Sequence, residues 1–486
     1  MRRPQITSMR HLIAITVALA ALLVPPAARP AETPSGAATF ALPSDPTLAR
    51  LIDESVAARP ELRQAEAAVR AERERVPQVG ALPDPVLTLG IQNDSFKEIM
   101  IGKAETSWWQ VMITQGLPWP GKRGLREDVA RLGADEAGAA LNRTRYTTEA
   151  DVRRAYTDLL SARDRLALLK QLEGIWQTSA GVARARYESG EGAQSDVLRA
   201  QLELNRLLQR RWALESQERT AVQTLNRLRG RPVDEAIETT ASLRSAELPA
   251  LPSEDAALSD ALARSPELAQ ARLATARASS SLALARKERW PDLAIQAGIR
   301  PRGQLEPMWL AAVSIGLPVW SARKQGRAVA ENEAREDASK RSAEAVEQVL
   351  RLRVAERRAV YGALLENVRI FREGLLVQSR ATSQSTLAQY RVGKVTFASV
   401  LEANAGYIAD EETFLAAVAD AQRVAIASAE VSLDPVGVSG AAGGMASGGG
   451  IPGAGVSGGA SGGASRPSAA PGGEAAPSGG GMSSGM

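Results

Sequence analysis

The sequence predicts a mainly α-helical chain that carries four short transmembrane β-strands and is built as two similar halves. Three observations predict it. Two proline-free stretches, Gly121 to Arg231 and Val319 to Asp434, run for 111 and 116 residues and are dense in Ala, Leu, Arg, Glu and Gln, all good helix formers. Four short segments alternate apolar with small or polar residues, the period of a strand. Landmarks also recur at nearly constant spacing. Arg59-Pro60-Glu61-Leu62 returns as Ser265-Pro266-Glu267-Leu268 and Asp84-Pro85 as Trp290-Pro291, both 206 residues on. Trp109 with Gly116-Leu117-Pro118 returns as Trp309 with Gly316-Leu317-Pro318 at 200, and Tyr187-Glu-Ser-Gly190 as Tyr390-Arg-Val-Gly393 at 203. Offsets that hold within an element and drift between elements indicate an internal duplication with loops of different length.

The first 31 residues read as an export signal. Arg2, Arg3 and Arg10 precede the apolar run Leu12–Val24, and the small residues Ala27, Ala28 and Ala31 follow; a run of 13 is short for a membrane-spanning helix. The chain has no cysteine, and its one histidine, His11, lies in this signal. What remains has no thiol nucleophile, no disulfide, no histidine base and no His or Cys ligand for a metal. The composition therefore predicts no enzyme, no cofactor and no metal site. Taking the four arginines of residues 1–31 from the 59 basic residues leaves 55, equal to the 55 acidic ones. The basic balance belongs to the signal and gives no support for a nucleic-acid partner. No later stretch approaches 18 apolar residues, so a chain that spans a membrane must do so as β-structure.

After a linker over 32–44, the first half is expected over 45–252. A helix over about 45–78 opens it, with Ser44 or Asp45 as N-cap and Pro46 behind. A β-hairpin over about 86–116 follows, then a long arm over 123–188, the glycine break at Gly190, and a returning helix over 194–229. The return stops at Gly230-Arg-Pro232, and residues 233–252 form a connector. The second half, 253–433, repeats the order: a helix over 254–288, a β-hairpin over 293–316, an arm over 321–391, the break at Gly393 and a return over 396–432. Each long arm would measure roughly 100 Å at 1.5 Å per residue. Residues 434–486 hold 19 of the 41 glycines, no aromatic residue and three charges, the composition of a disordered tail.

The short segments carry the membrane signal. Leu87, Leu89 and Ile91 share one face of the first, while Thr88, Gly90 and Gln92 share the other; Trp109, Val111 and Ile113 alternate with Gln110, Met112 and Thr114 in the second. Ile295, Ala297 and Ile299 alternate with Gln296, Gly298 and Arg300, and Trp309, Ala311, Val313 and Ile315 with Leu310, Ala312 and Ser314. Such two-faced strands fit a lipid-facing barrel wall. Trp108, Trp109 and Trp309 are expected in an aromatic girdle at the lipid–water boundary. Four strands cannot close a barrel, and an open edge in lipid leaves backbone groups unpaired. Three copies would supply twelve strands, with the helical arms continuing as a second cylinder.

The junction Gln115-Gly-Leu-Pro-Trp-Pro-Gly-Lys-Arg123, the duplicated halves and the two Tyr-x-x-Gly turns together resemble the TolC family of outer-membrane efflux proteins, over residues 45–432. Leu117-Pro-Trp-Pro-Gly-Lys-Arg123 looks most like the heavy-metal or small-molecule branch. The resemblance implies a homotrimer with a twelve-stranded barrel in the outer-membrane lipid and a long α-helical tunnel in the periplasm. It further implies an outer-membrane channel of a tripartite efflux or type I secretion system, with an inner-membrane pump and a periplasmic adaptor as partners. Adaptor contact maps to Tyr187, Ser189, Gly190 and Glu191 and to Tyr390, Val392, Gly393 and Lys394; Ser189 and the charged Glu191 depart from the usual Val-Gly pattern. No acylated cysteine is present, so no lipid anchor is expected.

Near the tips, Arg184, Arg186, Glu188, Asp196, Arg391 and Lys394 read either as solvated helix ends or, where charges converge on a symmetry axis, as a gate. Asp196 and Arg391 are the gate candidates. Gly116-x4-Gly121-Lys122 has phosphate-loop spacing, but Arg123 replaces the magnesium-binding hydroxyl and Pro118 and Pro120 remove amide donors. It reads as a rigid strand-to-helix junction. The rival to a channel is a soluble periplasmic coiled-coil adaptor or scaffold.

Overall fold

The computed structural model describes residues 45–435. The expected signal (1–31), the linker (32–44) and nearly all of the tail (434–486) lie outside the described residues. The described chain is mainly helical with one small antiparallel sheet, and its elements follow one order twice. The first set is α1 (Pro46–Ala58), α2 (Pro60–Gly80), β1 (Val86–Gln92), β2 (Trp108–Leu117), α3 (Lys122–Glu188) and α4 (Gln194–Leu228). The second is α5 (Glu254–Arg264), α6 (Pro266–Lys287), β3 (Leu293–Arg302), β4 (Leu305–Ile315), α7 (Gln325–Ile370), a π turn (Phe371–Leu375), α8 (Leu376–Arg391) and α9 (Phe397–Glu430).

Four elements differ from expectation, each for a local reason. The single opening helix of each half is two helices. Proline disfavours helical backbone in the residue before it, so Arg59 (ψ 120°) and Ser265 (ψ 115°) turn extended ahead of Pro60 and Pro266. In the second hairpin (293–316), Pro301 and Pro307 predict a polar loop between them, but the connection is a tight turn. Gly303 takes φ 65°, and Arg302 pairs with Leu305, which draws Pro301 and Pro307 into the strands. The second long arm starts at Gln325, after a run of turns, and carries the π turn. The N-cap choice falls on Asp45, whose carboxylate accepts from Leu48 N–H at 2.7 Å.

The main core lies where α3, α4 and α9 meet α1, α7 and the connector. Leu159, Leu172, Trp176, Phe397, Phe414 and Leu415 are fully buried there. α9 is the most apolar helix over its second half, with Ala417, Val418, Ala419, Ala421, Val424 and Ala425 all buried. Such a helix, apolar on most sides, must be surrounded by protein. The connector is fastened onto the arms by polar bonds: Arg163 Nη2 donates to Ile237 O at 2.8 Å, Tyr361 Oη to Pro249 O at 2.6 Å, and Arg244 forms an ion pair with buried Glu411. The first two satisfy backbone carbonyls that an irregular segment would otherwise leave unpaired.

Candidate functional site

Two regions concentrate the residues singled out by sequence. The first is the pair of helix-hairpin tips. Gly190 and Gly393 take φ 75° and 74°, the left-handed conformation in which glycine meets no Cβ penalty. Glu191 N–H donates to Arg186 C=O at 2.9 Å, and Lys394 N–H to Gln389 C=O at 2.9 Å. Both are the six-to-one bond that closes a helix and reverses the chain. Ser189, Gly190, Glu191, Val392, Gly393 and Lys394 are all exposed on these turns.

The two tyrosines diverge. Tyr187 is 46% exposed, whereas Tyr390 is 3% exposed and ties the two hairpins together. Arg186 of α3 lies over the Tyr390 ring at 5.1 Å and donates through Nη1 to Tyr390 O at 2.6 Å. Asp196 of α4 accepts the Tyr390 phenol at 3.0 Å, and Phe397 packs on the ring at 5.3 Å. Burial first, then the Asp196 carboxylate beside it, pushes the Tyr390 phenol up to about 12. Arg186 Nε is buried without a hydrogen-bond partner among the described residues, so the tip contact holds an unsatisfied donor. Of the two gate candidates, Asp196 joins this cluster. Arg391 is exposed and makes no ion pair among the described residues. Sequence reasoning placed Arg186 near the tips but gave it no partner, because the contact spans 204 positions.

The second region is the sheet. Its order is β1-β2-β3-β4, all antiparallel, so β1 and β4 are edges without a further strand partner among the described residues. Register aligns the apolar residues into rows. Leu89 stands opposite Val111, Val111 opposite Ile299 and Ile299 opposite Trp309; Leu87 stands opposite Ile113. This face is exposed throughout, up to 81% at Trp309. The other face carries Thr88, Gln110, Thr114, Gln296 and Ser314, between small residues. Consecutive residues of a strand point to opposite faces, which divides the three tryptophans expected in the girdle. Trp109 and Trp309 share the apolar face, while Trp108 lies on the polar one with Arg300 over its ring at 5.0 Å.

Beneath the sheet, the rigid strand-to-helix junction is a clamp between the halves. Lys122, 3% exposed, donates to Asp292 Oδ1 at 2.7 Å and to Trp290 O at 2.8 Å. Trp119 stacks on Trp290 at 5.2 Å, and its N–H donates to Asp292 at 2.8 Å. Gly121 (φ 89°) lets the chain turn into α3. No helix among the described residues is long and apolar enough to cross a membrane, and no described cluster of His, Cys, Asp and Glu could hold a metal.

The family model described as outer membrane efflux protein matches residues 51–231 and 257–429. Among solved structures, the outer-membrane channel OprN is 21% identical with a TM-score of 0.68, over 79% of this chain and 90% of its own. CusC, whose transmembrane channel formation has been described, is 18% identical at 0.68, over 84% and 99%. The Neisseria gonorrhoeae MtrE outer membrane channel, in its open state, is 18% identical at 0.67, over 82% and 93%. At these identities the likeness concerns the fold. No curated protein matches the chain significantly.

Proposed function

This chain belongs to the outer membrane efflux protein family, and from that membership we infer that it is the outer-membrane channel of a tripartite efflux system. It acts as a passive conduit, driven by a partner pump in the inner membrane and joined to it by a periplasmic adaptor. The observation that carries this reading is the sheet. Its apolar face is exposed in continuous rows and its two edges are open, an arrangement that water penalises and that lipid plus neighbouring strands would satisfy. Three copies joined β4 to β1 give twelve antiparallel strands, within the range of bacterial barrels. The two long arms, α3 and α7–α8, then continue from the barrel into the periplasm. A soluble adaptor or scaffold would have no use for such a face.

In this reading the tips at Gly190 and Gly393 meet the adaptor, and the Asp196–Tyr390–Arg186 cluster restrains the tunnel entrance. Trp109 and Trp309 sit at the lipid boundary. The test combines fractionation, mass and conductance. Full-length protein is expected in the outer-membrane fraction, extractable only with detergent, as a trimer that conducts ions in planar bilayers. A monomer soluble without detergent would refute the reading.

A further inference from the structure

The polar face of the sheet holds a charge that nothing else in the fold uses. Over the paired strands this face carries Thr88, Gly90, Gln110, Met112, Thr114, Gln296, Gly298, Leu310, Ala312 and Ser314, all uncharged. Charge begins with Arg300, and Arg302 and Glu306 follow it toward the turn. Arg300 stands opposite Met308 in β3, close to the Gly303 turn and so at the end of the sheet away from the helices. Its guanidinium lies over the Trp108 ring at 5.0 Å. Its Nε is buried with no hydrogen-bond partner, and the side chain forms no ion pair among the described residues. Neighbouring Arg302 is committed, donating to Glu306 O at 2.9 Å and toward Glu105 O. Glu306, the one acid in β4, lies two residues nearer the turn than Met308 and makes no ion pair with Arg300.

Position matters as much as charge. Trp108 and Arg300 belong to β2 and β3, the inner strands, so joining β4 of one copy to β1 of the next covers neither. With the apolar face toward lipid, their face is the lumen wall. A cation stacked on an aromatic ring keeps its charge while losing conformational freedom, which holds it at one height on the wall. Rings of such side chains set the charge preference of pores.

We propose that Arg300, held on Trp108, forms with its symmetry copies an anion-attracting ring at the outer end of the barrel lumen, where small anions and the carboxylate or phosphate groups of cargo pass. This rests on the trimeric channel reading. The test is the reversal potential of the full-length protein in planar bilayers under a KCl gradient at low ionic strength. Arg300→Gln is expected to lower the chloride-to-potassium permeability ratio roughly five- to twentyfold, the Coulomb effect of three charges about 10 Å away through water, opposite in sign for the two ions and partly screened at low salt. Arg300→Lys should retain most of the ratio. The difference should fade in concentrated salt, as the screening length falls from about 30 Å at 0.01 M to about 3 Å at 1 M. If Arg300→Gln fails to assemble, Met308→Glu sets a carboxylate opposite the arginine and should lower the ratio in the same direction. Normal conductance with an unchanged ratio in these variants overturns the ring. Absence of any conductance from the unsubstituted protein overturns the channel reading instead.

Discussion

The phenol of Tyr390 donates a hydrogen bond to the Asp196 carboxylate at 3.0 Å, joining the outgoing arm of the second helical hairpin to the returning arm of the first. It is a bond to a charged acceptor in a partly desolvated place, of the stronger kind. Arg186 covers the same ring, so three helices converge on one side chain.

Tyr390→Phe removes the donor and keeps the ring; Asp196→Ala removes the acceptor and leaves the phenol buried without its partner. Both are expected to loosen the tips, and Asp196→Ala more, by roughly 1–3 kcal/mol of contact stability. Single-channel recording should show higher conductance or more frequent opening for each. The bond also has a defined pH window. Because burial and Asp196 raise the Tyr390 phenol to about 12, its contribution is fully present below the ordinary tyrosine value of about 10. It is lost only as pH climbs through about 12. Conductance differences between the protein and Tyr390→Phe should therefore stay constant from pH 6 to about 9. A difference that vanished within that span would assign the tip restraint to another group.

The two tip glycines predict unequal consequences. Both hold φ near +75°, where a side chain costs roughly 1–2 kcal/mol. At Gly190 an added Cβ meets nothing within 4 Å, whereas at Gly393 it comes within 3.0 Å of Arg186 Nη1. Gly393→Ala therefore presses on the Arg186 guanidinium, which must give by a few tenths of an ångström, in addition to straining the turn. Limited proteolysis should cut the second tip of Gly393→Ala faster than the first tip of Gly190→Ala, with trimer yield similar in both. Equal cutting would mean that Arg186 moves aside without loosening the ring.

These contrasts mark what can be read from sequence. The strands were legible because period two and a lipid-suited face leave a pattern that no helix shares, and β1 runs over Val86–Gln92 as expected. Long arms were legible from helix-forming composition without proline. The breaks at Pro60 and Pro266 were hidden because apolar periodicity continues on both sides of Arg59 and Ser265. Pro301 and Pro307 misled in the opposite direction, marking a loop where pairing from Arg302 to Leu305 holds them in strand. The different fates of Tyr187 and Tyr390 left no local trace at all. They depend on Arg186 and Asp196 arriving from the other hairpin, which is tertiary information.

The Lys122–Asp292 pair predicts a mechanical weakness between sheet and helices. Lys122 is buried, while Asp292 is about half exposed, so the pair sits between the surface and interior regimes. Lys122→Met keeps the stem and deletes the charge, stranding Trp290 O and leaving Asp292 with the Trp119 N–H. A loss of roughly 1–3 kcal/mol is expected from the unsatisfied acceptors. Thermal unfolding in detergent should show a lower midpoint for Lys122→Met than for Lys122→Arg. Equal midpoints would leave the Trp119–Trp290 stack as the main fastening of this junction.

Neighbouring residues of β1 offer the most direct test of which face meets lipid. Leu89 is 70% exposed and aligned with Val111 in the apolar rows, while Thr88 stands opposite Met112 on the other face. One position apart in sequence, they differ only in the side of the wall they occupy. An arginine on the lipid side of a barrel costs about 2–4 kcal/mol near the bilayer midplane, whereas a lumen substitution tunes conductance without that cost. Leu89→Arg should therefore sharply reduce heat-stable trimer in the outer-membrane fraction, and Thr88→Arg should assemble normally and shift ion preference toward anions. A soluble sheet would order the pair differently. With no lipid to exclude charge, arginine at the already exposed Leu89 would be harmless, and the partly buried Thr88 would be the position that suffers.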